Sequence, residues 1–171
     1  MSDKKEIILL PADKIEGIEC EEVTLEEAIE LKEIGEQMIE YCANNGGAGL
    51  AAPQIGIFKN MFVWMNSANS FQIVYNPRYF KDGKKTNVIE GCLSYPDENY
   101  YLQRWKRISA VSFVIHEGEF KKLTQHLSGE RAFIFQHETD HLSGKTIAIE
   151  GLKLDEKMRE KVGLTRSNPA T

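Results

Sequence analysis

The chain has 171 residues, 42% apolar and 27% charged, with 21 Lys+Arg against 26 Asp+Glu and a net charge of −5. That length suits one domain with a core of its own, and an ordinary apolar content excludes disorder. Three cysteines exclude a disulfide framework and point to a reducing compartment such as the cytoplasm, while the longest apolar run, Met61 to Met65, is far too short to span a bilayer.

In chain order, Ile7 to Leu10 is an apolar run closed by Pro11, readable as a strand or a buried turn and too short for a signal-peptide core. Thr24-Leu25-Glu26-Glu27 is a capping-box pattern, a hydroxyl followed three positions later by Glu. Leu25, Ala28, Leu31, Ile34, Met38 and Tyr41 then recur at helical spacing, predicting an amphipathic helix that Asn44-Asn45-Gly46-Gly47 ends. Half of the acid lies in this part of the chain: up to Ile57 there are thirteen acidic and four basic residues, and the run from Glu19 to Glu40 reads as a solvated helix face. The rest of the chain holds no Lys/Arg cluster of the kind a phosphate backbone demands, so no direct nucleic-acid contact is expected.

From Gly47 onward the period changes. Asn60 to Met65, Phe71 to Tyr75, Val88 to Leu93 and Ile108 to Ile115 predict short strands bounded by Asn, Gly, Pro and Asp, with Pro96 ending the pairing of the third. His116-Glu117-Gly118-Glu119 predicts a turn into a strand over Phe120 to Leu127. A second helix is expected from about Gly129 to Leu142, a short one over Leu154 to Val162, and a frayed tail over Thr165 to Thr171. Residues 1–164 then form a single catalytic unit. The fold class is α+β, with mixed or antiparallel short-stranded sheets around a central helix and an amphipathic helix at the N-terminal end.

That central helix carries His137-Glu138-Thr139-Asp140-His141. Positions i and i+4 share a helix face, so two imidazoles can chelate one cation while Glu138 takes a proton from a water beside them. The helix is apolar at Ala132 to Phe135, and burying two histidines and an acid is costly unless something satisfies them. A hydrolytic metal site wants a third protein ligand. Glu150, Glu156 and Glu160 lie downstream, and a peptidase-like site using one of them is one reading. Cys92, in Glu90-Gly91-Cys92-Leu93-Ser94, is the other, since a thiolate with two imidazoles suits Fe²⁺ or Zn²⁺. Gly47-Ala48-Gly49-Leu50-Ala51-Ala52-Pro53-Gln54 is either a tight loop entering a sheet or a backbone edge for a peptide, with Gln54 offering an amide donor. His116, His126, Cys20 and Cys42 need only packing or surface roles.

The segments 47–54, 90–94 and 136–142, in that order, resemble the three signature motifs of the peptide deformylase family, over roughly Ile7 to Ile149. The resemblance implies a hydrolase that removes the N-formyl group from the terminal methionine of nascent chains. It implies one divalent metal on Cys92, His137 and His141, Fe²⁺ by preference, with Zn²⁺, Ni²⁺ or Co²⁺ as substitutes in purified protein. Glu138 would be the proton carrier, and the Gln54 amide with the Leu93 N–H would meet the oxyanion. The formyl-methionyl peptide would lie along Gly47, Ala48 and Gly49. Phe133 and Ile134 would line the methionine pocket, and Glu90 with Arg104 would form a supporting ion pair. Two features depart from the bacterial pattern. Asn99 stands where many members carry a basic residue, and Lys153, Lys157, Arg159 and Lys161 are nearly balanced by Asp155, Glu156 and Glu160. Ribosome association through a basic C-terminal helix is therefore expected to be weak, and the chain to act as a monomer away from membranes. A catalytically silent peptide-binding relative remains the alternative from another class, against which intact Gln54, Cys92 and Glu138 argue.

Overall fold

The computed structural model describes residues 6–163, so the expected tail over Thr165 to Thr171 lies outside them. In chain order the elements are α1 (Leu25–Glu30), α2 (Lys32–Asn44), β1 (Gly49–Ala51), β2 (Met61–Ser67), β3 (Ser70–Cys92) and β4 (Tyr95–His116). There follow β5 (Glu119–Ser128), α3 (Glu130–Leu142), α4 (Ile147–Glu150), β6 (Leu152–Lys153) and α5 (Glu156–Lys161). The named strands make one six-stranded sheet in the order β1-β2-β3-β4-β5, every pairing antiparallel, with β6 on β4. The α+β class holds. No helix among the described residues is long and apolar enough to cross a membrane.

The capping box forms as read: Thr24 Oγ1 accepts from the Glu27 N–H at 3.2 Å and Glu27 accepts from the Thr24 N–H at 2.8 Å. The single helix expected after it is two, because the chain breaks at Leu31 (ψ −4°) between α1 and α2. Ile7 to Leu10 forms no strand; instead the Leu10 N–H donates to the Gln54 carbonyl at 2.8 Å, bracing the loop that carries Gln54.

The largest difference lies in β3 and β4, 23 and 22 residues long, where separate short strands were expected. The Asn, Pro and Gly positions read as strand ends are bulges inside a continuous ladder. Register shifts fall between Tyr75 and Arg78, where Asn76 has φ 48°, and between Asp82 and Lys85, where Gly83 has φ 81°. Asn76 uses its side chain at the first bulge to bond both backbone groups of Val23, each at 2.8 Å. Pro96 does not end the pairing either: it is the second residue of β4, and the ladder runs on through Cys92 opposite Tyr95.

The run Met61 to Met65 is apolar throughout because β2 is covered on both faces. Phe62 and Trp64 face α3, where Phe135 meets both rings edge-on at 5.2 and 5.3 Å. Met61 and Val63 face the other way, toward Met38 and Cys42 of α2. α2 comes close enough that a Cβ on Gly35 would sit 2.9 Å from the Met61 side chain.

Candidate metal centre

α3 is buried along its middle, at Phe135, Gln136, His137, Glu138, His141 and Leu142. Gln136 clamps it to β4: its amide donates to the Trp105 carbonyl and accepts from the Trp105 N–H, both at 2.9 Å. With α3 fixed, the i,i+4 spacing sets the His137 and His141 rings 4.8 Å apart, their Nε2 atoms 3.1 Å from each other. Cys92, the last residue of β3, brings its Sγ to 3.4 Å from His141 Nε2. The three ligand atoms lie within 4.8 Å of one another.

The 3.1 and 3.4 Å separations lie close to what a cation requires. A tetrahedral ion with bonds of about 2.05 Å to nitrogen and about 2.3 Å to sulfur needs its ligand atoms roughly 3.3–3.6 Å apart. The donor set is soft to borderline, as thiolate and imidazole require. Among the described residues this is the only such group, and Glu150, Glu156 and Glu160 are not part of it.

Beneath the histidines runs a buried chain of charges. Glu90 Oε2 faces His137 Nδ1 at 2.8 Å, and Arg104 grips Glu90 with two bonds of 2.8 and 2.9 Å. The third corner of the Arg104 guanidinium binds Asp140. Burial works to raise the Glu90 carboxyl, but the Arg104 and then the His137 hydrogen bonds overcome it and hold the group near 2. A carboxylate on Nδ1 fixes the ring so that Nε2 points at the cluster. Burial opposes a charge on either imidazole; Cys92 and Glu90 draw His137 up, while burial and the neighbouring His137 hold His141 down.

Glu138 is 3% exposed and its Oε2 has no partner among the described residues. Burial pushes its carboxyl up to about 7. Gly49 of β1 lies directly against it: a Cβ there would be 2.7 Å from the Glu138 carboxyl carbon. Gln54, 1% exposed, is oriented by its own Oε1, which accepts from the Ala51 N–H at 2.8 Å. Its amide nitrogen is thereby turned to Ser94 Oγ at 2.9 Å and to Cys92 Sγ at 3.5 Å.

Of the residues singled out in the sequence, Cys92, His137, His141, Glu138, Gln54 and Gly49 come together. Ala48 stays on the β2 side, its carbonyl accepting from the Met65 N–H at 2.8 Å. Gly47 packs by its Cα toward Cys42 and the Leu93 side chain. β1 stands at the end of the sheet order, so its other edge has no strand partner among the described residues. Phe133 and Ile134 lie one turn before His137, half-buried against the Phe135 cluster.

Three features escaped sequence reasoning. Asp140 stood inside the motif without a role, although its i+3 spacing from His137 places it near the same face. Ser94 receives the Gln54 amide. Tyr95 ties the β4 start to Thr146 and Glu16 at 3.0 and 2.9 Å, contacts without a local sequence signal.

Comparison with known proteins gives one answer. The family model described as polypeptide deformylase matches residues 4–157. A Thermotoga maritima protein named peptide deformylase is 42% identical over 118 residues, covering 68% of this chain and 70% of the relative. The crystal structure of peptide deformylase from that organism superposes with a TM-score of 0.74 at 34% identity, covering 84% of this chain and 95% of that one. A probable peptide deformylase from Synechococcus phage S-SSM7 superposes at 0.72 with 32% identity, covering 84% and 98%.

Proposed function

The chain belongs to the polypeptide deformylase family, and we propose a residue-by-residue account of how it removes the N-formyl group from nascent peptides. The activity is that of a metal-dependent hydrolase. The observation that carries the account is the convergence of Cys92 Sγ and the two Nε2 atoms beside the partnerless Oε2 of Glu138. Cys92, His137 and His141 would hold the metal, with Fe²⁺ as the ion. A divalent cation there supplies Lewis acidity toward a water and the formyl carbonyl.

The chain's own residues do the rest. Glu138 takes the proton of the water that attacks the formyl carbon, and returns one to the departing amine as the carbon–nitrogen bond breaks and formate leaves. The Gln54 amide, already aimed at the cluster, and the Leu93 backbone N–H donate to the oxygen that gains charge; one such donor is worth about 3–4 kcal/mol in the transition state. The peptide adds as a strand on the open edge of β1 at Gly47 to Gly49, and its methionine side chain packs on Phe133 and Ile134. Glu90 and Arg104 position His137. The chain would work as a monomer where nascent chains emerge, in the cytoplasm. The family match over residues 4–157 supports reading the chain as one catalytic unit. The nearly balanced charge over Lys153 to Lys161 supports weak contact with the ribosome at most.

The test is formate release from a formyl-Met-Ala peptide by iron-loaded protein prepared without oxygen. Release is expected, fading on exposure to air as the iron and its thiolate oxidise, and Cys92→Ala should lose both metal and activity. No release with iron confirmed in place, or unchanged metal content in Cys92→Ala, would overturn the assignment.

A further inference from the structure

Deformylation leaves the acidic N-terminal third unexplained. Part of its charge is used locally: Lys59 pairs with Glu21 and Glu27 at 2.8 and 2.7 Å, and Lys32 stands 3.9 Å from Glu36. Glu30 has no ion-pair partner among the described residues. It lies instead on the rim of a groove of about 620 Å³ between the segment 6–10 and the first two helices. Leu31, Ile34, Ile55 and Ile57 form its floor, and Ile7 and Ile8 its wall, with Ile8 72% exposed. The rim is acidic at Glu6, Glu30 and Glu33, all exposed. Gln37 also lines it, and its Oε1 is buried without a hydrogen-bond donor among the described residues.

We propose that this groove docks a basic amphipathic helix of a partner protein. Apolar side chains at i, i+3, i+4 and i+7 of such a helix fill the isoleucine-lined floor. Its Lys or Arg residues then flank the Glu6 and Glu30 carboxylates. The charge decides between occupants. An uncharged apolar helix would strip water from the Glu6 and Glu30 carboxylates with nothing in return. An anionic lipid surface would be repelled by the same carboxylates.

The groove backs onto the catalytic loop, since Ile55 follows Gln54 and Leu10 bonds the Gln54 carbonyl. It shares no residue with the metal cluster, so the proposal stands or falls independently of deformylation.

The test uses fluorescence anisotropy with two labelled peptides of about 15 residues, long enough to form a helix on binding. One is built of Leu and Lys with Leu at the helical spacing; in the other Glu replaces every Lys. The Lys peptide is expected to bind in the micromolar range at low salt and to weaken as salt rises. The Glu peptide should bind at least about tenfold more weakly, roughly 1.4 kcal/mol. Ile8→Ser and Glu30→Lys, both at exposed positions, should each weaken the Lys peptide several-fold while the formate-release rate stays unchanged. Equal binding of the two peptides, or unaltered affinity in both variants, overturns the proposal. So does a dimer in sedimentation that Ile8→Ser dissolves, because the occupant would then be a second copy of this chain.

Discussion

Gly49→Ala is a one-methyl change whose effect can be worked out from contacts. The added methyl would sit 2.7 Å from Cδ and 2.8 Å from Cγ of Glu138, where ordinary contact begins near 3.4 Å. Glu138 Oε1 would be closer still, so something must retreat by at least about 0.6–0.7 Å, a small overpacking of the kind that costs about 1–3 kcal/mol. β1 cannot easily give way, because Gly49, Leu50 and Ala51 are paired with Trp64, Val63 and Phe62 in the fully buried part of β2. Glu138 is the softer partner, although it is itself buried. Misplacing a reacting group by about 1 Å costs on the order of 100-fold, so the shift expected here predicts a loss of about 10- to 100-fold in kcat/KM, carried mainly by kcat. That is about 1.4–2.7 kcal/mol of transition-state stabilisation. The assay is steady-state formate release, with metal content measured on the same samples and stability followed by urea denaturation. If Gly49→Ala keeps kcat/KM within about threefold at full metal occupancy, Glu138 is not held by β1 in the way argued, or is not the proton carrier.

Two other outcomes follow from the buried charges and the helix cap. Arg104→Met would leave Glu90 and Asp140 buried without their cation; removing one partner of a buried pair costs about 3–5 kcal/mol. By freeing Glu90 it should also weaken metal binding about 10- to 100-fold, measured by competition with a chelator. Glu27 is held near 2, chiefly by its hydrogen bond from Lys59 and then by that from the Thr24 N–H. A depressed carboxylate contributes stability that is complete above the unfolded value, about 4.3, and is lost as the pH falls through about 2. Glu27→Gln should thus flatten the fall in Tm between those limits, and identical Tm profiles for the two proteins would remove Glu27 from the acid response.

Local chemistry made the helices readable. The cap at Thr24 needs only residues three apart, and the stop after Leu142 follows from Ser143-Gly144, whose glycine adopts φ 69°. The long hairpin was not readable, for an equally local reason. Asn76-Pro77 and Asp82-Gly83 carry the same signals whether a strand ends or bulges, and only the partner strand decides which. β4 continues past both points, so Arg78 pairs with Val111 and Lys85 with Trp105 on the far side of each irregularity.

The same distinction runs through the site. His137, Glu138 and His141 were legible because the i,i+4 spacing already implies what the pair can hold, whereas Cys92 was one of two readings for the third donor until the family resemblance singled it out. Asp140 was not, because an acid on a helix ordinarily faces water; it faces Arg104 only because β4 passes beneath α3, held there by the Gln136 clamp on Trp105. Gly49 was read as an edge for a peptide, and the structure adds a second constraint, the Glu138 side chain packed where a Cβ would be. Both residues act through a partner distant in sequence, and both fix the orientation of a group that the motifs supply. Chemistry thus resides in short motifs of this chain, while the precision with which it is aimed depends on the long β3–β4 ladder, where Glu90 and Arg104 stand on neighbouring strands. A change far along that ladder that shifts its register, such as filling the bulge at Asn76, should therefore reach His137 through Glu90 without touching any residue of the three motifs.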